Sequence, residues 1–363
     1  MSRITFESNR NDSYDILIKP GLLAQIGEYL HNLNPGSNQT IILTDRNVRS
    51  LYANLLTQSL HKTKFKSAII AVEPGEQSKT LVHASFLWKQ LVELGVQRRT
   101  VIIALGGGVI TDLAGFVAAG YMRGIPYINV PTSLLAQVDA AIGSKVAVDH
   151  ESAKNLIGFF YHPLAVYIDP DVLRTLPSTE ISHGFAEVIK VAIIQSPSLF
   201  EFLELHSPAL LDFDIELVNQ VIQMAVTAKV QMVVPDIYEQ NLKRALNFGH
   251  TFGHALETAL AYKNIPHGDA IAIGMATAAR IANARGLLNK QTTGRIINLI
   301  ARFNLPVFAP KIPVTKLWES LSIIRSIRNG NFHVVLPKEI GGYSFYEDLS
   351  MKNLELYFDE KKN

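Results

Sequence analysis

VIIALGGGVITD, residues 101–112, joins two periodicities at a run of glycines. Val101 to Leu105 is a short continuous apolar run, the pattern of a strand buried on both faces. Gly106-Gly107-Gly108 follows, and a helical pattern opens at Val109. Small residues at such a turn let a phosphate approach the backbone, and the next helix supplies free N–H donors at its positive end. The turn is not GxGxxG. A nucleotide site at Gly108, Val109, Ile110, Thr111 and Asp112 and a tight turn without ligand therefore both remain open from this stretch alone.

Working outward, the same texture recurs. Tyr14 to Ile18, Thr40 to Leu43, Ser67 to Val72 and Tyr127 to Val130 are strand-like, and Thr80 to Leu94 is helical. Strands alternating with helices predict a parallel sheet of Rossmann-like α/β type. Ligands of such sheets sit beyond the carboxyl ends of the strands. That places a second polar turn, Gly75-Glu76-Gln77-Ser78-Lys79, beside the glycine turn.

From about Pro177 the pattern becomes helical: Glu180 to Gln195, Pro197 to Leu205, Ile215 to Val234, Ala245 to Ala261 and Asp269 to Ala284. Val218, Val221, Ile222, Ala225 and Val226 keep i, i+3, i+4 spacing. The chain thus divides into a nucleotide-binding α/β domain, 1–178, and a mainly α-helical domain, 179–363, ending in a short strand and turn (Phe332 to Leu336, Gly341-Gly342). A length of 363 residues accommodates two such domains.

Composition narrows the function. The formal net charge of +2 and the lack of a Lys/Arg run argue against nucleic acid. Met1 to Pro20 has no apolar signal core, and no uninterrupted apolar run reaches membrane-spanning length. A cytoplasmic enzyme is the expectation. With no cysteine, any metal must be held by imidazole and carboxylate.

Such a set is present. NFGHTFGH (247–254) places His250 and His254 four residues apart on one helix face. His267 follows in PHGD, and Glu187 lies upstream in AEVIK. One carboxylate and two imidazoles make a catalytic metal site with open positions; spacing leaves open which two histidines bind. Lys190, one turn beyond Glu187, faces the same cavity. A basic and polar group, Arg123, Thr132, Ser133, Asp139, Lys145, Lys154 and Asn155, sits among Gly, Ala and Val. Buried lysines need an anion, so a phosphorylated or polyhydroxy small molecule is the natural partner.

These segments resemble the 3-dehydroquinate synthase family, from about Thr44 to Phe345. The resemblance is carried by LNFGHTFGHALE (246–257), HGDA (267–270), PGEQSK (74–79), GGGV (106–109), VPTSLLAQVD (130–139), AKNLIG (153–158) and AEVIK (186–190). It implies Zn2+ or Co2+ on Glu187, His250 and His267, and NAD on Asp45, Gly75 to Lys79, Gly108 to Asp112, Thr132, Ser133, Lys145, Lys154 and Val172, Leu173, Arg174 and Thr175. It implies substrate contacts at Asp139, Lys145, Asn155, Lys190, Lys229, Lys243, Asn247 and His254, and a homodimer in which Arg123 reaches phosphate in the partner subunit. The implied chemistry oxidises a secondary hydroxyl with NAD+, eliminates phosphate, reduces the ketone again and closes a carbocycle by aldol addition.

The match breaks at particular positions. Thr111 stands where the family has Gly, and AAIGSKV (140–146) replaces SSVGGKT. His162 replaces Gln. Lys243 replaces Arg, with Arg244 beside it. Ile324-Arg325-Ser326 falls where Asp-Lys-Lys is usual. Arg to Lys loses bidentate carboxylate recognition. Asn247, His254, Lys229 and the intact GHTFGH favour a 3-dehydroquinate synthase acting on 3-deoxy-arabino-heptulosonate 7-phosphate in the shikimate pathway. PDIYEQNLKR (235–244) and the C-terminal sequence favour the alternative, a sedoheptulose 7-phosphate cyclase of valiolone synthase type. A metal-dependent polyol dehydrogenase shares the architecture but needs no phosphate cradle. A non-catalytic relative would not need Glu187, His250 and His267 together.

Overall fold

The computed structural model of the chain describes residues 13–151, 153–241, 243–261, 265–327 and 333–349, with Met351 and Leu354. The side chains of 153 and 323–327 fall outside that description, so the Ile324-Arg325-Ser326 reading does too, as does Phe332. Contacts gather the chain into two compact units. The first runs up to Leu17 and takes in Leu23–Val130 and Ser144–Ile168; the second holds Ile18–Leu22, Pro131–Gly143 and the chain from Asp169 onward.

The first unit is built on a sheet of β1 (Asp15–Ile18), β2 (Gln39–Asp45), β3 (Lys66–Val72), β4 (Val101–Gly106), β5 (Tyr127–Pro131) and β8 (Ala165–Ile168), in the order β1-β8-β5-β4-β2-β3. The β2–β3, β2–β4 and β5–β8 pairs are parallel. Every residue of β4 is buried, which is why its sequence is continuously apolar rather than alternating. Register places Asp45 opposite Val72 and Thr44 opposite Leu105. The carboxyl ends of three adjacent strands therefore share one edge, with the 73–79 and 106–108 turns on either side of the end of β2.

Among the helices packed on this sheet are α1 (Leu81–Glu93) and α2 (Gly108–Gly120). Thr80 caps α1 by accepting the His83 N–H. Leu87 and Leu91 of α1 and Leu113, Phe116 and Val117 of α2 pack in one core with Ile41, Leu43, Ile102 and Ala104. An antiparallel hairpin, β6 (Lys145–His150) with β7 (Ala153–Phe160), lies against α2. Its approach requires Gly115, where a Cβ would sit 2.3 Å from a Val146 methyl. The sequence pattern reads here only as a basic and polar group with no element assigned; Val146 and Val148 are the buried positions of β6.

The second unit is helical: α3 (Ser178–Ile194), α4 (Pro197–Leu211), α5 (Ile215–Val233), α6 (His250–Ala259), α7 (His267–Ala284), α8 (Lys290–Arg302) and α9 (Val314–Ile327), with a small antiparallel pair β9 (Val334–Glu339) and β10 (Gly342–Tyr346). Among the described residues one helical stretch, Ile215–Asp236, is long and apolar enough by composition to cross a membrane. Its buried residues form a stripe through Val218, Val221, Ile222, Ala225 and Val226, the mark of an amphipathic helix packed against a core.

The helix expected from Ala245 to Ala261 is broken. Ala245–Asn247 forms a 3₁₀ turn, Gly249 takes φ +77°, and α6 starts only at His250. The break allows α6 to cross α7 closely: a Cβ on Gly274 would lie 2.0 Å from the Gly249 carbonyl oxygen. It also puts His250 at the first position of its helix.

Candidate active site

Glu187 sits in the middle of α3, while His250 and His267 begin α6 and α7. Glu187 Oε1 lies 3.6 Å from Nε2 of each histidine, and ligand-capable atoms of the three residues fall within 4.8 Å of one another. Both Glu187 oxygens are buried and accept no well-formed hydrogen bond. What surrounds them is positive charge and imidazole. Burial pushes the Glu187 carboxyl up, but Lys190, His250 and His267 outweigh it and hold the group well below the usual carboxylate range.

The outer ring nitrogens are also positioned. His250 Nδ1 lies 3.2 Å from the Phe248 carbonyl oxygen, which accepts its proton and leaves Nε2 for a metal. Burial, aided by Lys190, holds His250 well below its ordinary value and so neutral. His267 Nδ1 lies 3.2 Å from Glu257 Oε1. Burial lowers His267, yet its hydrogen bonds to Glu187 and Glu257 raise it to about 9. A buried carboxylate flanked by two oriented imidazoles fits a divalent transition metal.

Beside this trio lie two buried lysines. Lys190 is ion-paired with Glu187 and stands 4.0 Å from Asp139 Oδ2. Lys229, from α5, lies 2.6 Å from Asp139 Oδ1 and also donates to the Asp139 carbonyl. Burial raises the Asp139 carboxyl, but Lys190 and Lys229 prevail and lower it. Asp139 rides on a π-turn, Ala136–Ala140. Gln137 anchors that turn by donating to the carbonyls of Pro131 (3.2 Å) and Asp169 (2.9 Å). His254 is one turn past His250, its ring centroid 5.1 Å from that of His250 and 5.9 Å from that of His267.

In the first unit, Asp45 ends β2, and its carboxylate accepts from the N–H groups of Asn47 and Val48. Gly75, with φ +103°, leads into a 3₁₀ turn of Glu76, Gln77 and Ser78. Lys79 is buried, 2.5 Å from Asp112 Oδ2 of α2, and also donates to the Asn155 side chain. Burial lowers Lys79, but Asp112 and Glu76 raise it, so it stays charged. Thr111 fills the family's glycine position without strain, its hydroxyl donating to the Gly108 carbonyl at 3.0 Å. Gly108, Val109 and Ile110 open the same helix; Gly106 is needed for packing, since a Cβ there would meet Ile110 at 2.6 Å. Lys145 and Lys154 lie on β6 and β7. Arg123 is exposed in a left-handed turn with Met122 and Gly124.

The second unit carries Thr132, Ser133, Asn247 on the 3₁₀ turn, and Val172 to Thr175 on the Pro170–Thr175 turn. Lys243 is exposed, and Arg244 is ion-paired with Glu239 at 2.7 Å.

Two residues escaped the sequence reading. Glu257 reaches His267, and His183 lies 3.3 Å from Asp269 Oδ1, tying the start of α3 to the first turn of α7. Glu257 stands at i+3 from His254, a spacing that was legible. The His183–Asp269 contact is long-range and leaves no local signal.

An α/β unit with glycine-bearing turns along one strand edge, and a helical unit with a carboxylate–imidazole trio and buried lysines, define a class: a metalloenzyme for an anionic, hydroxylated small molecule. The profile of the 3-dehydroquinate synthase N-terminal domain matches residues 69–183, and that of its C-terminal domain 184–323. Over 352 residues the chain is 43% identical to a 2-epi-valiolone synthase of Stigmatella aurantiaca, covering 94% of this chain and 87% of that one. It is 38% identical over 352 residues to a 3-dehydroquinate synthase of Prochlorococcus marinus, covering 96% and 97%. A 2-epi-5-epi-valiolone synthase from Streptomyces hygroscopicus, solved with NAD+ and Zn2+ bound, superimposes with a TM-score of 0.89 at 30% identity, over 98% of this chain and 97% of that one. The chain belongs to the 3-dehydroquinate synthase family and is a sugar phosphate cyclase.

Proposed function

We propose that the chain binds NAD+ and Zn2+ or Co2+ and converts a heptulose 7-phosphate into a carbocycle, releasing inorganic phosphate with no net consumption of NAD. The observation that carries this reading is Glu187, buried between His250 and His267, with Lys190, Asp139 and Lys229 alongside. Glu187, His250 and His267 would hold the metal, whose Lewis acidity polarises a substrate oxygen when it is bound. NAD supplies a reversible hydride acceptor. The residues proposed for it are Asp45, Gly75 to Lys79 and Gly108 to Asp112, with Thr132, Ser133, Lys145, Lys154 and Val172 to Thr175.

The chain's own groups divide the remaining tasks. Lys190 and Lys229 bind and orient the anionic substrate, with Asp139 as their resident counter-charge. His254, one turn from His250, moves a proton at a ring nitrogen. Asn247, Asn155 and Lys145 hold hydroxyl and phosphate oxygens. Arg123, exposed on its turn, reaches the phosphate in the partner of a homodimer. A cytoplasmic biosynthetic setting accords with this chemistry.

Two substrates compete. Asn247, His254 and Lys229 support 3-deoxy-arabino-heptulosonate 7-phosphate and hence 3-dehydroquinate formation. The basic residues preceding Asn247 support sedoheptulose 7-phosphate: Lys243 points into solvent and Arg244 is already neutralised by Glu239, so neither offers a ready fork for a carboxylate. We favour sedoheptulose 7-phosphate on that ground, with 3-dehydroquinate formation as the second reading. Phosphate release is measured with NAD+, Zn2+ or Co2+ and each heptulose phosphate in turn. Release with sedoheptulose 7-phosphate supports the first reading, and release only with the heptulosonate supports the second. Accumulation of NADH with simple polyols would overturn both in favour of a dehydrogenase.

A further inference from the structure

We propose that His254, Glu257 and His267 form a second site for a divalent transition-metal ion, inhibitory and immediately beside the Glu187–His250–His267 site. The proposal rests on the reading of that trio as the resident metal site.

His254 and Glu257 stand three residues apart on one face of α6, and His267 comes from the start of α7. Ligand-capable atoms of the three lie within 4.8 Å of one another. Glu257 is buried at 2% exposure, and its carboxylate is directed at His267 Nδ1, 3.2 Å away. His267 belongs to both sets, but through opposite ring nitrogens: Nε2 is 3.6 Å from Glu187, and Nδ1 faces Glu257. Two ions can therefore share the ring without competing for one lone pair. Two imidazoles and one carboxylate suit Zn2+, Co2+, Ni2+ or Cu2+ rather than Mg2+ or Ca2+.

Occupation has defined chemistry. The second ion takes the place of the Nδ1 proton of His267, so one proton leaves for each ion bound. The hydrogen bond to Glu257 is exchanged for metal–ligand bonds to Nδ1 and to the carboxylate. Because its ring is shared with the resident site, this site fills after the resident one. Filling it removes His254 from any proton transfer and removes the carboxylate that orients His267. Excess metal therefore inhibits, although the first ion is required.

The test is metal stoichiometry on the full-length protein, by equilibrium dialysis against Zn2+ from nanomolar to sub-millimolar. Calorimetry in buffers of different ionisation enthalpy counts protons, and activity is followed in parallel. The proposal expects two steps, the second releasing one proton and coinciding with loss of activity that a chelator reverses. Glu257→Gln, whose amide oxygen can still accept from Nδ1, and His254→Ala should each lose the second step and keep the first. First-site affinity in Glu257→Gln should fall by about 10–100-fold. A single step throughout, or a second step that survives in both variants, overturns the proposal while leaving the resident site standing. No binding step at all overturns the resident site with it.

Discussion

Lys190 and Glu187 face one another one helical turn apart, ion-paired, with side chains 2% and 1% exposed. Neither charge is tolerable alone at that depth. Lys190→Met leaves the carboxylate with imidazole only, and removing one member of a buried pair costs about 3–5 kcal/mol. The variant should unfold at lower urea in metal-free buffer, and added Zn2+ should recover much of the difference by supplying the missing positive charge. Turnover should drop by about 100-fold or more, with NAD+ affinity by calorimetry nearly unchanged. Lost NAD+ affinity with intact turnover would refute the role given to Lys190.

His250→Ala should abolish tight metal binding and activity yet leave the far-ultraviolet circular dichroism intact, because His250 opens α6 at its first position and carries none of the helix's core. Metal content after dialysis is the measurement. Full retention of Zn2+ would reassign the site.

Gly274→Ala adds one methyl group where α7 meets the Gly249 carbonyl. Overpacking of this kind costs about 1–3 kcal/mol. The strain falls on the residue preceding His250, so Zn2+ affinity should fall along with thermal stability. A variant that loses stability while binding Zn2+ normally would show that the crossing does not set the ligand geometry.

His183 supplies a pH signature. Its hydrogen bonds to Asp269 and Glu180 raise it to about 9 from an ordinary 6.5. A raised folded-state value means that the protonated form is favoured by folding. The stabilisation is complete below about pH 6.5 and is lost as pH climbs through 9. Thermal midpoints should decline from pH 7 to 10, and His183→Gln should flatten that limb. An unchanged slope in the variant would assign the decline to other groups.

Lys79→Met removes the cation that holds both Asp112 and Asn155. Stability should fall by about 3 kcal/mol and NAD+ should bind more weakly, as read by urea denaturation and calorimetry. Unchanged NAD+ binding would confine Lys79 to a structural role.

The parts of the fold written in local periodicity were legible. Val101 to Leu105 reads as a strand because both its faces are buried, and α5 reads from its apolar stripe. The β6–β7 hairpin was not legible, because only Val146 and Val148 turn inward, between Lys145 and Asp149, in too short a run to mark a strand. Nor was the break before His250: the pattern from Ala245 to Ala261 is helical in composition, and only the approach of Gly274 from α7 makes the turn at Gly249 necessary. At the site, the residue types of Glu187, His250 and His267 could be read, but their convergence depends on three helices far apart in sequence. His183–Asp269 and Lys229–Asp139 are likewise contacts that only the folded chain creates.

Asp139 stands between Lys229 and Lys190, so the two lysines carry a counter-ion before any ligand arrives. An arriving anion does not fall into an empty positive hole; it must displace a carboxylate already in place. Affinity is then the difference between two similar electrostatic energies, and it responds weakly to ionic strength. Small anions that match the charge but make no further contacts gain almost nothing from the exchange. If these lysines bind the substrate as proposed, the carboxylate that keeps two buried ammonium groups tolerable would also disfavour inorganic phosphate there.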